Sequence, residues 1–229
     1  MLTERQEQLF TDILEHYIKT SDPVGSKALA ASKRWDVSSA TLRNEMAALE
    51  REGLIMQPHT SAGRIPTEKG YQYYRSRYLK PDPIANVLDK ALANSYQDTS
   101  EESLKNLARE LANISELAVI IGLGNKTLYY TGLRNLLEQP EFESLEEMYD
   151  ILEALEEHER DVMNLFETLE GEIAVLIGSE NSLFPDGSFV ATPIVHQNKR
   201  RYIGILGPMR MEYGKMVGLI KRCSHLIIE

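Results

Sequence analysis

Apolar residues recur at helical spacing almost from the start of the chain. Leu9, Ile13, Leu14, Tyr17 and Ile18 line one side of a helix over residues 3 to 19. Asp22 and Pro23 break it, and Gly25-Ser26 opens a short second helix, KALAASKRW. Past Asp36 and Val37, Ser38 and Ser39 supply N-cap side chains for a third helix over residues 41 to 52, which contains neither Gly nor Pro. Leu42, Met46 and Leu49 stand there at i, i+4 and i+7 and form one apolar stripe. Gly53 follows in a C′ role. Residues 54 to 56 read as a strand, 59 to 63 as a turn-rich tip and 64 to 66 as the returning strand; Thr67-Glu68-Lys69 then opens the helix GYQYYRSRYL. Two helices, a turn, a third helix and a strand pair predict a winged helix-turn-helix over residues 1 to 80.

The pattern changes after Lys80-Pro81-Asp82-Pro83, where paired prolines mark a linker. Residues 81 to 100 read as linker and connecting helix, the helix itself over 84 to 95. A helix follows from Ser100 to about Ser115, then an apolar strand over 117 to 123, a turn at Gly124-Asn125-Lys126 and a partner strand over 127 to 131. Residues 144 to 169 keep a 3.6 period through Leu145, Met148, Ile151, Leu152 and Leu155. Three strands are expected at 172 to 178, 188 to 195 and 201 to 206, and a last helix at 211 to 228. The prediction is α+β, a small sheet with helices packed on it over residues 101 to 229. With 229 residues both parts can bury a core.

Candidate chemistry concentrates in the first part. Opposite its apolar stripe the third helix carries Ala40, Asn44, Ala47 and Arg51, with Arg43 on the flank. Alanines let a backbone come close to a surface, Asn suits paired contact to adenine, and Arg suits guanine or phosphate. A recognition helix presents its first turns to base edges, which selects Ser39, Ala40, Thr41, Arg43 and Asn44. The competing reading of this helix alone is an ordinary amphipathic surface helix. His59, Thr60, Ser61 and Arg64 at the tip, with Lys69 behind it, suit phosphate or minor-groove contact.

Charge sharpens the contrast. Residues 1 to 80 hold 12 Lys and Arg against 10 Asp and Glu, a net of +2; the other 13 basic and 25 acidic residues give −12. A weakly basic head on an acidic body argues for a localised nucleic-acid footprint rather than general coating.

Other classes find little support. GLGN at 122–125 lacks the spacing of a phosphate loop and reads as a hairpin turn. His16, His59, His158, His196 and His225 are scattered, with no metal-ligand spacing. Ser179-Glu180-Asn181 reads as a polar turn ending a strand, and the acidic run 153 to 161 as a solvated helix face. No nucleophile–base pairing stands out, so neither an enzyme nor a cofactor is expected. Cys223, in an apolar helix, reads as a small hydrophobe. The longest apolar run is about eight residues, too short for a bilayer, and no leader pattern follows Met1-Leu2. A cytoplasmic protein without a membrane partner is the expectation.

GSKALA at 25–30, VSSATLRNEMAALEREGLI at 37–55 and QPHTSAGRIPTEKGY at 57–71 resemble the amino-terminal domain of the HrcA family, bacterial repressors of heat-shock chaperone operons. GLRNLLEQPEFESLEEM at 132–148, IGSEN and IGILGPMRMEYGKMVGLI at 203–220 are similar to that family's later signatures. The middle departs from the pattern. Between 118 and 131 the chain is short where the family carries much of its GAF-like domain and an inserted dimerisation subdomain, so it resembles a compact variant. The resemblance implies a GAF-like regulatory and dimerisation domain over 101–229. It also implies a homodimer on duplex DNA carrying an inverted-repeat operator, and a GroEL-type chaperonin as a modulating partner. Two further readings stay open: a one-component regulator whose GAF-like domain senses a small ligand, and a monomeric adaptor that has lost operator binding.

Overall fold

The computed structural model describes residues 2–32, 34–59, 62–124, 127–142, 144, 149, 153, 159–169, 173–182, 184–196 and 199–228. The chain forms two compact units, Met1–Leu79 and Lys80–Glu229, called here the head and the body.

In the head, α1 (Glu4–Thr20) starts in a capping box: Thr3 Oγ1 accepts from the Gln6 amide, and the Thr3 amide donates to Gln6 Oε1. Its spacing buries Leu9, Phe10, Ile13 and Leu14. The second helix, α2 (Ser26–Ala31), is shorter than KALAASKRW predicts. The tail of that segment is drawn elsewhere: Trp35 Nε1 donates to Asp12 at 3.0 Å, and Arg34 pairs with the same carboxylate at 3.0 Å. The third helix, α3 (Ser39–Arg51), is capped by Ser38 and buries Leu42, Met46 and Leu49, the stripe read from the sequence. Gly53 follows with φ +74. A two-stranded wing of β1 (Ile55–Met56) and β2 (Ile65–Pro66) leads to α4 (Glu68–Tyr78), capped by Thr67.

Two-residue strands cannot hold a wing in place by themselves. The wing is tied to the α1–α2 loop instead. Val24 and Arg64 exchange both backbone hydrogen bonds, each 2.9 Å. The approach is so close that a Cβ on Gly63 would lie 2.4 Å from the Val24 carbonyl carbon. No side chain fits there.

The body is a five-stranded antiparallel sheet in the order β4-β3-β7-β6-β5. Its strands are β3 (Ala118–Gly124), β4 (Thr127–Thr131), β5 (Ala174–Ile177), β6 (Gly187–His196) and β7 (Lys199–Pro208). Side-chain alternation divides its two faces. On one, Ala118, Ile120, Phe189, Ala191, Tyr202 and Leu206 pack against Leu136 of α7 (Leu133–Leu137), against Phe142, and against Val162 and Phe166 of α8 (Glu159–Thr168). On the other, α6 (Glu101–Ser115) packs on β3, and α9 (Tyr213–Ile228) packs on β6 and β7. The connecting helix α5 (Asn86–Ser95) rests on α6 and α9. The strap before it is pinned to α9: the Asp82 amide donates to the Gly214 carbonyl at 2.9 Å, and a Cβ on Gly218 would meet the Asp82 carbonyl oxygen at 2.4 Å.

Helix and sheet are thus mixed as expected, with α7 and the 3-10 turn Pro140–Phe142 added. The helix expected over 144 to 169 falls largely outside the described residues; its end is α8. Asn125 and Lys126, in the expected hairpin turn, also lie outside them. The Ser179-Glu180-Asn181 segment is a turn, as read: Glu180 Oε2 accepts from the Ile177 amide at 3.1 Å.

Phe166 is fully buried, stacked on Tyr202 at 4.8 Å and edge-on to Phe189 at 5.5 Å. Phe166→Ala is expected to destabilise the body by about 3–5 kcal/mol. Urea unfolding monitored by far-ultraviolet circular dichroism checks this, and a cost below 1 kcal/mol would mean the site collapses around the gap.

Candidate nucleic-acid interface

The outward face of α3 is built by its own period. Ala40, Arg43, Asn44, Ala47 and Arg51 are exposed, and Ser39 and Thr41 are half-buried at the start. Ser38 Oγ accepts from the Thr41 amide at 3.1 Å and lies 3.0 Å from the Thr41 hydroxyl. Thr41 is therefore partly engaged in the cap. Arg51 folds back on its helix, Nε to the Ala47 carbonyl at 3.3 Å.

The acidic residues of α3 are occupied away from that face. Glu45 takes Arg5 at 3.3 Å and the Gln6 amide group at 2.9 Å. Glu50 takes both Nε and Nη2 of Arg64, at 3.2 and 3.0 Å. Arg64 is thus a brace from wing to helix, its side chain 18% exposed. Lys69 is a second brace: its Nζ donates to the Glu52 carbonyl at 2.7 Å while Thr67 Oγ1 donates to the Gly53 carbonyl at 2.6 Å. A cation there also suits the negative end of the α3 dipole. Gln57 holds the wing across its base, donating to the Ala62 carbonyl at 3.0 Å. His59 is exposed; Thr60 and Ser61 lie outside the described residues.

Between α2, α3 and the wing lies a cavity of about 510 Å³, bordered by Ser26, Lys27, Arg43, Gln57 and Arg64 among others. Lys27 and Arg43 are exposed, and among the described residues neither has a carboxylate partner. Two unpaired cations at a polar concavity can receive a phosphate. Lys27 escaped the sequence reading. Its place in GSKALA carried no spacing signal, because the α1–α2 loop brings it to Arg43 only in the folded head.

Behind the wing, α4 locks onto α1. Arg77 Nη2 meets Glu7 at 2.9 Å and the Tyr73 hydroxyl donates to it at 3.3 Å. The Arg77 guanidinium holds the Glu7 carboxyl below its usual range. Burial pushes the Tyr78 hydroxyl up to about 12.

Among the described residues no group of His, Cys, Asp and Glu is arranged to hold a metal ion, and no helix is long and apolar enough to cross a membrane. Cys223 is fully buried, which pushes its thiol up to about 12.

Residues 76–217 match the model of the HrcA protein C-terminal domain. This chain belongs to the HrcA family. Residues 11–73 match the Ribonuclease R winged-helix domain model, which agrees with the fold of the head. The heat-inducible transcription repressor HrcA of Listeria monocytogenes serotype 4a (strain HCC23) is 28% identical over 331 positions, covering 98% of this chain and 96% of the relative. That of Carboxydothermus hydrogenoformans is 26% identical over 335 positions, covering 100% and 98%. The Listeria alignment exceeds the chain's 229 residues by 102 positions, so this HrcA family member is compact beside its relatives. A solved structure, described only as that of a hypothetical protein, superposes with a TM-score of 0.80 at 20% identity, covering 100% of this chain and 99% of the other; it supports the fold. The named relatives are heat-inducible transcription repressors.

Arg64→Ala is expected to cost the head about 1 kcal/mol through the lost Glu50 pair, while Lys27→Ala leaves stability unchanged. Urea unfolding followed by the fluorescence of Trp35, the single tryptophan, reads both. An unshifted Arg64→Ala midpoint with weakened DNA binding would return Arg64 to direct DNA contact. The Glu7 brace contributes stability above the carboxylate's unfolded pKa and loses it as pH falls through the lowered folded value. Midpoints of wild type and Glu7→Gln should separate near neutral pH and converge in acid; a gap independent of pH would contradict this.

Proposed function

We propose that the head lays α3 in the major groove of duplex DNA and that the chain represses transcription of heat-shock chaperone genes. The exposed face of α3 carries this reading. It presents Ala40, Arg43, Asn44 and Ala47 while the neighbouring carboxylates of Glu45 and Glu50 are neutralised by Arg5 and Arg64. Arg43 and Asn44 would read base edges, with Ser39 and Thr41 at the start of the helix. Lys27 and the tip residues His59, Thr60 and Ser61 would hold the backbone or the minor groove. Arg64 and Lys69 would act mainly by fixing the wing.

The family's relatives are named as heat-inducible repressors. By that likeness the operator is an inverted repeat, bound by a cytoplasmic homodimer and modulated by a GroEL-type chaperonin. Two-fold DNA asks for two-fold protein. The pairing surface falls to the body, where α9 is mostly buried against its own sheet and leaves Lys221, His225 and Ile228 exposed. The segment 132–148 is the other candidate; most of 143–148 lies outside the described residues.

Fluorescence anisotropy on the inverted repeat, beside a duplex with one half-site scrambled, tests this at two salt concentrations. Binding should collapse with the scrambled half-site. Arg43→Ala should cost about 1–3 kcal/mol on the intact repeat and much less on random DNA. Lys27→Ala should weaken both alike and lower the salt slope by about 1. Equal binding to intact and scrambled duplexes would refute the symmetric reading, and equal Arg43→Ala losses on both would remove its base-reading role.

A further inference from the structure

One buried charged side chain in the body, Arg201, has no carboxylate partner among the described residues. Arg201 lies in β7 next to Tyr202, whose ring enters the aromatic core. By alternation its side chain leaves from the other face, where Nη2 donates to the Thr99 carbonyl of the α5–α6 loop at 2.8 Å. Arg201 is 6% exposed, and its Nε is shut off from solvent with no acceptor. Among the described residues no carboxylate pairs with it.

A second idle group stands nearby. The Tyr96 hydroxyl, three residues before Thr99, is also closed to solvent and has no partner. Burial pushes its pKa up, the Arg201 charge draws it back down and the exposed Asp98 carboxylate, itself bonded to the Ser100 amide, pushes it up again, so the hydroxyl lies within the electrostatic reach of both. Toward the middle of the sheet the neighbours of Arg201 on this face include buried apolar residues, Ile194 across the ladder and Ile203 and Ile205 along β7; the polar Thr192 lies diagonally across, and Lys199 precedes Arg201 on the strand. An aliphatic side chain would suit such a setting better than an uncompensated cation. A guanidinium kept there calls for an anion from outside.

We propose that Arg201 and Tyr96 form a receiving site for a small oxyanion, a phosphate or a carboxylate, beneath the α5–α6 loop. The planar guanidinium offers paired N–H donors that match two oxygens of either group. The Tyr96 hydroxyl supplies a further donor. Binding gives both idle donors an acceptor and fastens the loop, already held at Thr99, onto the sheet. The site gives a sensing role of the body a definite place and chemistry, and it stands whether or not the head grips an operator.

The test uses the full chain. Its melting is followed at constant ionic strength while inorganic phosphate, or separately acetate, replaces chloride, for wild type, Arg201→Met and Tyr96→Phe. The wild-type melting temperature should rise saturably with one of the anions, and which one does so identifies the source. Arg201→Met should melt at or above wild type in chloride and keep only the unsaturable rise that excluded salts give any protein. Tyr96→Phe should saturate at about tenfold higher anion concentration, the loss expected for one hydrogen bond to a charged group. The wild-type Arg201 Nε–H nuclear magnetic resonance signal should shift over the same concentrations, and it decides alone if Arg201→Met does not fold. Parallel rises in wild type and Arg201→Met, or an Nε–H signal indifferent to both anions, would overturn the site and leave Arg201 as a brace for the Thr99 carbonyl.

Discussion

Two reciprocal hydrogen bonds between Val24 and Arg64 hold the wing where the head needs it. The wing's own strands are two residues each and pair over a single short register. With no side chain at Gly63, the chain can pass against the Val24 carbonyl. Once Arg64 is fixed there by its backbone, its guanidinium reaches Glu50 and joins the wing to α3. The cavity beside Arg43 and Lys27, and the angle between wing and helix, both depend on this contact.

Charge on the head is sorted by such tertiary pairings. A sequence count makes residues 1 to 80 only slightly basic. Folding redistributes that small excess. Arg5, Arg34, Arg64 and Arg77 are used against Glu45, Asp12, Glu50 and Glu7. On the exposed face of α3 and at the cavity beside it, Lys27 and Arg43 keep no carboxylate partner among the described residues. A modest net charge thereby yields a locally cationic surface without the nonspecific affinity that a larger total would bring.

The helical stripes and the outward face of α3 were legible because both follow a period of 3.6 within one element. The cap at Ser38 and the turn at Gly53 were equally local. What spacing could not reveal was tertiary. Arg64 and Lys69 look like free cations in a string of letters, yet their partners stand 14 and 17 residues away. The second helix reads on through Arg34 and Trp35, but Asp12 of α1 draws both into contacts that end it early. In the body, Leu133, Leu136 and Leu137 are too few to announce α7, whose five residues hold their place by packing on the sheet. Arg201 sits in a run of basic residues, KRR, that suggests exposure; only strand alternation separates it from exposed Arg200.

Sheet order has a kinetic meaning. The central pairing of β3 with β7 joins Ala118 to Leu206 and Gly122 to Tyr202, residues 80 to 88 positions apart, whereas the head closes within its own 79 residues. Distant strand pairing is slow, because the intervening loop must lose its freedom before any contact rewards it. As the chain is synthesised, the head can take shape while β7 is still unmade, and the body waits for the last strand of its ladder. After a heat pulse the same order applies. The head recovers ahead of the body, so the return of the whole chain is timed by the closing of one strand pair rather than by the short-range contacts of the head.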